Sequence, residues 1–266
     1  MLWAGQKKIT VGDYPTFHLF GMTFDATIIF STTVAVAIFC VVGWMMSRKA
    51  TPGVPTKLQY AYEYIVYDLV GEVAESAIGP KYKKFVPFGV TLFIFIWICN
   101  WFAIIPSALA AGSSYELLPP PTGNVNLPLA MALIVFFWVH FESIRERGFK
   151  GYVKHYFKPF AALSPINVIE ELTKPITLTF RLFGNVFSGG LMILVVTVLV
   201  PTLLSPILVP FEFGWKLFDM LIGLIQAYIF MLLTILYFGM GMSHDEEEHT
   251  SHDADAPALV ASQASH

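Results

Sequence analysis

Residues 166–200, INVIEELTKPITLTFRLFGNVFSGGLMILVVTVLV, decide the fold of this chain. A helix rises about 1.5 Å per residue, so this stretch would be about 52 Å long, whereas the hydrocarbon of a bilayer is about 30 Å thick. Arg181 lies near its middle. An arginine at such a position costs about 2.5–3.5 kcal/mol on insertion scales, so it normally faces protein or water. The stretch therefore predicts a long membrane helix with a functional charge.

The composition also indicates a membrane protein. The chain has 266 residues, of which 56 % are hydrophobic and 13 % charged, and its net charge is −3. Soluble domains carry roughly 45–50 % apolar and about 25 % charged residues. The few charges exclude a soluble enzyme, a basic nucleic-acid binder and a disordered chain. Cys40 and Cys99 both lie in apolar runs, which excludes a disulfide framework or a cysteine zinc site, and we expect no metal and no cofactor.

Apolar runs along the chain predict an all-α membrane protein with five membrane-spanning helices. The predicted spans are residues 26–46, 85–111, 127–144, 165–204 and 206–242. Residues 58–79 differ, because their apolar side chains recur every three or four positions, which indicates an amphipathic helix on the membrane surface. We assign residues 1–242 to one membrane domain, and residues 243–266, which are acidic, to a disordered tail.

Lysine and arginine residues in the loops predict the orientation. Loops 47–84 and 145–158 hold six and five of them, whereas loops 112–126 and 205–210 hold none. Because lysine- and arginine-rich loops stay in the cytoplasm, five spans place the N-terminus outside and the tail inside. The last two predicted helices are too long for ordinary tilts, so we expect a long hairpin that slants across the membrane.

Polar side chains form one stripe on each helix of this hairpin. The stripe around Arg181 contains Asn167, Glu170, Lys174, Thr177, Gly184, Asn185 and Ser188. The stripe on the last helix contains Glu212, Lys216, Asp219, Gly223, Gln226 and Tyr237. The two stripes indicate either a polar path or a polar surface for a partner.

Ion pairs within each helix are an alternative explanation for some of these charges. Glu170 lies four residues before Lys174, a spacing at which the two side chains meet. Lys216 lies between Glu212 and Asp219 and could pair with either. Arg181 has no acidic residue within four positions, so its partner must come from elsewhere in the chain or from another subunit.

Residues 172–185, LTKPITLTFRLFGN, resemble the signature helix of subunit a of F-type ATP synthases. Residues 226–231, QAYIFM, resemble the last helix of that family, and the resemblance extends through PGVP at 52–55, Asn100 and NVN at 124–126. Members of the family are stator subunits that clasp a rotating ring of c subunits and carry two aqueous half-channels to it.

The resemblance implies a non-catalytic, proton-translocating subunit in the bacterial plasma membrane. Its implied partners are the ring of c subunits, the b-type subunits of the peripheral stalk and the rest of the ATP synthase. It implies that Arg181 faces the ring carboxylate, with Asn185 and Gln226 beside it. The small residues Gly184 and Ser188 would let a ring helix approach closely.

The chain also departs from the family pattern. Many bacterial relatives have a glutamate nine residues after the arginine and a histidine on the last helix, where this chain has Gly190 and Asp219. The carboxylate that relatives carry at the position of Gly190 is therefore expected here on the last helix, as Asp219. Ala103 and Ala130 stand where other members have polar residues on the second and third spans.

On the inner side, relatives have a glutamate before the Lys-Pro pair. Glu170 and Glu171 are the candidates here, and Glu170 is favoured because it lies on the Arg181 face. Glu170 would lie about 16 Å before Arg181 along the helix, and Asp219 about 13 Å inside the outer face. One carboxylate toward each face fits two half-channels, whereas a structural pair of Asp219 with Lys216 is the alternative.

Two other classes of protein have charges or cofactors inside the membrane. A secondary transporter usually shows repeated halves, and we see no internal repeat in this chain. A redox-chain membrane subunit needs cofactor ligands, but His18, His140 and His155 lie in different segments. The sequence therefore favours the stator subunit.

Overall fold

The computed structural model describes residues 16–19, 22–49, 55–103, 118–156, 164–199 and 205–242. The α-helices within these ranges are α1 (Ala26–Lys49), α2 (Lys57–Tyr64), α3 (Glu72–Ile78), α4 (Val86–Trp101), α5 (Asn126–Tyr156), α6 (Ser164–Leu199) and α7 (Ser205–Met242). The predicted tail at 243–266 and the end of the predicted span 85–111 lie outside the described residues.

A short antiparallel pair of strands precedes α1. Strand β1 (Thr16–Leu19) pairs with β2 (Met22–Asp25), and Phe17 lies opposite Phe24. The all-α prediction omitted this pair, because strands of four residues are too short to give a clear alternation of polar and apolar side chains.

Several helices have the length and composition of membrane spans. Within the described residues, three stretches are long and apolar enough to cross a membrane, namely Ala26–Arg48, Asn126–Tyr152 and Pro210–Met242. The number rises to four if the segments Lys57–Lys84 and Val86–Trp101, which meet at a bend of 109°, count as one span. The fold is thus helical with three or four apolar stretches, and the arrangement of five spans stays a prediction.

The predicted surface helix at 58–79 is part of a longer helical segment with a change of phase. A π-helical turn, Ile65–Gly71, separates α2 from α3, and a 3-10 turn, Gly79–Lys84, follows α3. After the π turn, Val70 and Ala74 are completely buried, whereas Leu58 before it is 65 % exposed. A π turn takes more residues than an α turn, so the two halves of the predicted helix turn different sides toward the protein, and its position on a membrane surface stays a prediction.

The two long helices of the predicted hairpin are present. α6 has 36 residues and α7 has 38, which correspond to about 54 Å and 57 Å of helix. Pro175 lies inside α6 and Pro210 inside α7. The slant of the two helices relative to a membrane stays a prediction.

Helix α7 is the centre of the packing, because it contacts α3, α4, α5 and α6. Its residues Phe230 and Phe238 are almost completely buried, and the Phe238 ring centre lies 4.5 Å from that of Phe85 at the start of α4. α6 presents Leu178 and Leu182 to the same core. This packing fixes which side of α6 faces inward.

The C-terminal end of α7 is held between two other segments. Gly239 lies so close to α3 that a Cβ atom added to it would be 2.3 Å from the carbonyl oxygen of Ala77. On the other side, Ser143 Oγ donates a hydrogen bond of 2.8 Å to the Gly241 carbonyl. Arg147 Nη2 donates one of 3.1 Å to the Met240 carbonyl. The end of α7 is thereby fixed between α3 and α5.

We predict that Gly239→Ala destabilises the protein by about 1–3 kcal/mol, because the new methyl group overlaps the backbone of α3 and one helix has to shift. Gly43→Ala is the matched control, since Gly43 also lies in a helix but has no atom within 4 Å of its added Cβ. Thermal unfolding of the detergent-purified variants measures the difference. Equal unfolding temperatures for the two variants would contradict the close packing of α3 on α7.

Candidate functional site

Arg181 lies on the exposed side of α6. In the part of the chain that the structure describes, its guanidinium makes no hydrogen bond and no ion pair. Gly184, about one turn further on, has open space beside it. Ser188 Oγ donates a hydrogen bond of 2.9 Å to the Asn185 carbonyl of its own helix. Arg181 is therefore a charge on an outward face, with small residues beside it.

The surroundings of this charge are a broad apolar surface. The exposed apolar side chains of α6 and α7 include Ile176, Phe180, Phe187, Leu191, Phe213, Leu217, Phe218, Leu221 and Ile225. Aqueous exposure of so many large side chains is unfavourable, so lipid or apolar helices of a partner must cover them.

Two amide side chains of the predicted site are buried behind this surface. Gln226 is 6 % exposed, and Asn185 is partly buried. Among the described residues, neither Asn185 Nδ2 nor Gln226 Nε2 has a hydrogen-bond partner. Buried amide groups normally bind protein or water, so these two nitrogens are positions where water molecules would be held.

A polar cavity of about 230 Å³ lies between α5, α6 and α7. Its lining includes His140, Ser143, Arg147, Glu171, Lys174 and Tyr237. Lys174 Nζ donates a hydrogen bond of 2.5 Å to Glu171 Oε1, and it lies 5.1 Å from the centre of the Tyr237 ring. A polar space of this size can hold several water molecules.

The structure places the two candidate inner carboxylates differently. Glu170 is exposed, as Arg181 is, whereas Glu171 lines the polar cavity and binds Lys174. The alternative pair of Glu170 with Lys174 is therefore not formed, whereas the choice between Glu170 and Glu171 as the inner proton carrier stays a prediction. The physical reason is that the polar stripe crosses the edge between the exposed and the packed side of α6, so the neighbouring position points inward.

Asp219 lies directly against α6. Its carboxylate is half-buried, and a Cβ atom added to Gly189 would be 2.8 Å from both of its oxygens. Gly190, the position suggested by the family pattern, has open space beside it and is exposed. The acid of α7 thus occupies the volume that a side chain at position 189 would need.

The other two charged residues of the polar stripe on α7 are Lys216 and Glu212. Lys216 is partly buried, and within the described residues it makes no ion pair with Asp219. Glu212 is also partly buried. The alternative of a structural pair between Lys216 and Asp219 is therefore not formed. Within the same ranges, no group of three or more metal-binding side chains is present.

A buried hydrogen-bond network fixes the segment before α5 to α4 and α7. Asn100 Nδ2 donates to the Gly223 carbonyl at 2.9 Å, and Thr122 Oγ1 donates to Asn100 Oδ1 at 2.8 Å. Asn124 Nδ2 donates to Asp25 Oδ2 at 3.2 Å, which connects the same segment to the start of α1. Asn100 was expected from the resemblance, whereas Asp25 and Thr122 were missed, because each stands alone in sequence without a spacing pattern.

Of the two alanines at positions where relatives have polar residues, Ala103 is partly buried and Ala130 is exposed.

The fold and these sites define a class: a largely helical membrane protein in which two long helices carry buried polar groups beside an outward-facing arginine. Comparison with known proteins narrows the class. The family described as "ATP synthase A chain" matches residues 28–239. The chain belongs to this family, and is thus a membrane subunit of the proton-translocating Fo sector of ATP synthase.

Individual relatives are similar in sequence to this protein along nearly its whole length. The "ATP synthase subunit a" of Acidothermus cellulolyticus is 38 % identical over 259 residues, which cover 97 % of this chain and 92 % of the relative. The protein of the same name from Mycobacterium marinum is 39 % identical over 248 residues, or 91 % of this chain and 97 % of the relative. That of Streptococcus agalactiae is 35 % identical over 240 residues, or 88 % and 98 %.

We predict that cysteines at positions 189 and 219 form a disulfide readily. The Cβ atom added to Gly189 would lie 2.9 Å from Asp219 Cγ, which is close to where a cysteine sulfur would be. The variant Gly189→Cys with Asp219→Cys is made in a chain that lacks Cys40 and Cys99, and loss of free thiol after mild oxidation measures the bond. Gly190→Cys with Asp219→Cys is the control, and equal oxidation in both would contradict the contact.

Proposed function

We propose that this chain is the stator subunit that carries protons to a rotating ring of c subunits through two half-channels, one on each side of Arg181. The observation that carries the proposal is that Arg181 is exposed on α6, without an ion-pair partner in the described part of the chain. Other subunits then couple proton flow to ATP synthesis. Family membership favours this function over a secondary transporter or a redox-chain subunit.

The proposed arrangement in the membrane has five spans, formed by α1, α4, α5, α6 and α7, with the N-terminus outside and the C-terminus in the cytoplasm. Two ion pairs support this orientation, because they join the two loops that are rich in lysine and arginine. Lys81 Nζ lies 2.6 Å from Glu146 Oε2, and Lys84 pairs with Glu142. Segments that pair in this way must lie on the same side of the membrane, and the positive-inside rule makes that side the cytoplasm.

The hairpin of α6 and α7 would lie slanted, with its exposed apolar face toward the ring. The open space beside Gly184 and the short side chain of Ser188 would let a ring helix approach Arg181. The b-type subunits of the peripheral stalk and the lipid bilayer would cover other parts of the surface.

Arg181 would act as a permanent charge. A guanidinium cannot be deprotonated in a protein, so it cannot relay protons. A ring carboxylate that comes within about 4–6 Å of it would have its pKa lowered and would release its proton. The ionised carboxylate needs a positive neighbour in a medium of low dielectric constant, so Arg181 would also keep the two half-channels apart.

The polar cavity would be the cytoplasmic half-channel. It contains a carboxylate, Glu171, held by Lys174, and the ring of Tyr237 beside the same lysine. Water in this cavity would connect Glu171 to the cytoplasmic ends of α5 and α7. Glu170, which is exposed on α6, would stay outside this route.

Asp219 would be the main carboxylate of the outer half-channel. It contacts α6 eight residues beyond Arg181, at Gly189. The unpaired amide nitrogens of Asn185 and Gln226 would hold water between Asp219 and the ring. Lys216 and Glu212 belong to the same polar stripe of α7, and their charges would change the electrostatic potential in the outer half-channel.

We predict that Arg181→Ala abolishes proton-driven ATP synthesis while the complex still assembles. Arg181→Lys also loses most activity, because a lysine is a compact, strongly hydrated charge that can lose its proton when buried. Inverted membrane vesicles measure synthesis, and co-purification of the c subunits measures assembly. Arg48→Ala removes another exposed arginine, which lies over the Trp44 ring on α1, and serves as the control. Normal synthesis in the Arg181→Ala variant would overturn the proposal.

We also predict that Glu171→Gln and Asp219→Asn each slow synthesis about tenfold or more, because an amide holds water but cannot carry a proton. Glu170→Gln is the matched control for the inner acid and is expected to be nearly silent. Lys216→Met with Asp219→Leu tests whether these two charges have only a structural role, since apolar residues often replace buried charges without loss where no function depends on them. Full activity of that double variant would rule out proton transfer through Asp219.

A further inference from the structure

His140 lies on α5 between two internal spaces, and the proposed function gives it no role so far. It lines the polar cavity of about 230 Å³, together with Glu171 and Lys174. It also lines a smaller space of about 20 Å³, which we call the inner pocket. The apolar side of the inner pocket consists of Ala132, Val135, Phe136, Pro175 and Leu178. His140 thus borders both the polar cavity and the inner pocket.

The inner pocket extends the polar cavity toward the level of Arg181. Pro175 and Leu178 lie six and three residues before Arg181, which is about 9 Å and 4.5 Å along the axis of α6. The inner pocket can hold about one water molecule, since a space of roughly 10–15 Å³ is enough for that. Its polar partners would be the side chains that both spaces share, namely His140, Glu171, Lys174 and Tyr237.

The packing holds the imidazole ring between two aromatic rings. The ring centre of His140 lies 4.0 Å from that of Phe136 and 6.0 Å from that of Tyr152. Tyr152 comes twelve residues after His140, a distance of about 18 Å along a straight helix. The chain turns at Gly148, whose φ of 71° is a conformation that glycine adopts easily, and this turn brings Tyr152 back beside the imidazole.

The imidazole is chemically suited to carry a proton at this place. A neutral imidazole accepts a proton on one nitrogen and changes its charge near neutral pH. Among the described residues, the buried Nδ1 atom of His140 makes no regular hydrogen bond, and the Phe136 carbonyl is the backbone acceptor in reach of the ring. Glu171 differs, because its Oε1 atom already accepts a hydrogen bond of 2.5 Å from Lys174.

We propose that His140 relays protons between the inner pocket and the polar cavity. The neutral imidazole accepts a proton from a water molecule in the inner pocket and becomes an imidazolium. The imidazolium then releases this proton from the same nitrogen to a water molecule in the polar cavity, so that the residue is unchanged after each cycle. This relay rests on the proposed function, because it adds a residue to the same cytoplasmic half-channel.

Charges of both signs face the imidazole from the elements packed around it. On α6, Glu171 favours the imidazolium, whereas Lys174 disfavours it. Arg147 of α5 adds a second positive charge to the polar cavity, and Tyr237 of α7 adds a hydroxyl group. The imidazolium is therefore not trapped by an excess of negative charge, which a relay requires because it has to release each proton.

The relay is tested by ATP synthesis in vesicles that carry the intact complex and are driven by a potassium diffusion potential. We expect His140→Phe and His140→Gln each to lower the rate about threefold or more, because neither side chain can carry a proton. Phenylalanine keeps the ring contacts with Phe136 and Tyr152, and glutamine keeps a polar group. His18→Gln changes an exposed histidine on β1 and is the control without effect. Co-purification of the c subunits checks assembly.

Chemical rescue separates a relay from a packing role. His140→Ala leaves room for a free imidazole molecule, and we expect added imidazole to raise its rate about twofold or more, because the free base carries the proton instead. Pyrazole is the control, since it is a ring of the same size but a far weaker base. Equal recovery with pyrazole overturns the relay, because filling the space would then suffice. Absence of recovery with imidazole in the assembled complex overturns it as well.

The same assay distinguishes failure of the relay from failure of the proposed function. A normal rate in His140→Phe or His140→Gln overturns the relay, whereas slow synthesis in Arg181→Ala and Glu171→Gln then still supports the half-channel. Normal rates in Arg181→Ala and Glu171→Gln mean that the proposed function fails, and the relay fails with it.

Discussion

A charge that cannot be neutralised, placed on an apolar helix face, is the constraint on which the rest of this structure depends. Arg181 keeps its proton at any pH that the protein meets, so its surroundings must supply negative charge or water. The described residues supply no carboxylate to it directly. A negative partner for Arg181 must therefore come from outside the described residues, and under the proposed function a carboxylate of the ring would supply it.

Helix α7 makes this arrangement rigid. It packs against α3, α4, α5 and α6, and its polar contacts with Asn100 and Ser143 lie near opposite ends of the packed region. Because α6 rests on this frame through Leu178 and Leu182, Arg181 points outward and Glu171 inward. The packing thus puts the polar cavity and the carboxylate of Asp219 at separate places along α6, before and after Arg181 in the sequence.

Sequence patterns predicted the two long helices α6 and α7 well, because hydrophobic length is a strong signal. They did not resolve which of two neighbouring acids faces the packed side of α6. Glu170 and Glu171 differ by about 100° around α6, which is enough to move a carboxylate from the exposed face into the cavity. The π turn before α3 could not be predicted from the sequence, because a change of helical phase leaves the composition unaltered. Asp25 and Thr122 were missed because their partners are about 99 and 22 residues away.

The contact between Gly189 and Asp219 has a consequence for how such a protein can change over generations. The two positions share one volume, so a side chain can occupy it from α6 or from α7 but not from both. A larger side chain at position 189 and an acid at position 219 therefore exclude each other, so a lineage with bulk at position 189 must lose it before it can gain the acid. Position 190 has open space and is free of this constraint. Positions 189 and 219 are therefore expected to change in a fixed order, with loss of bulk preceding gain of charge.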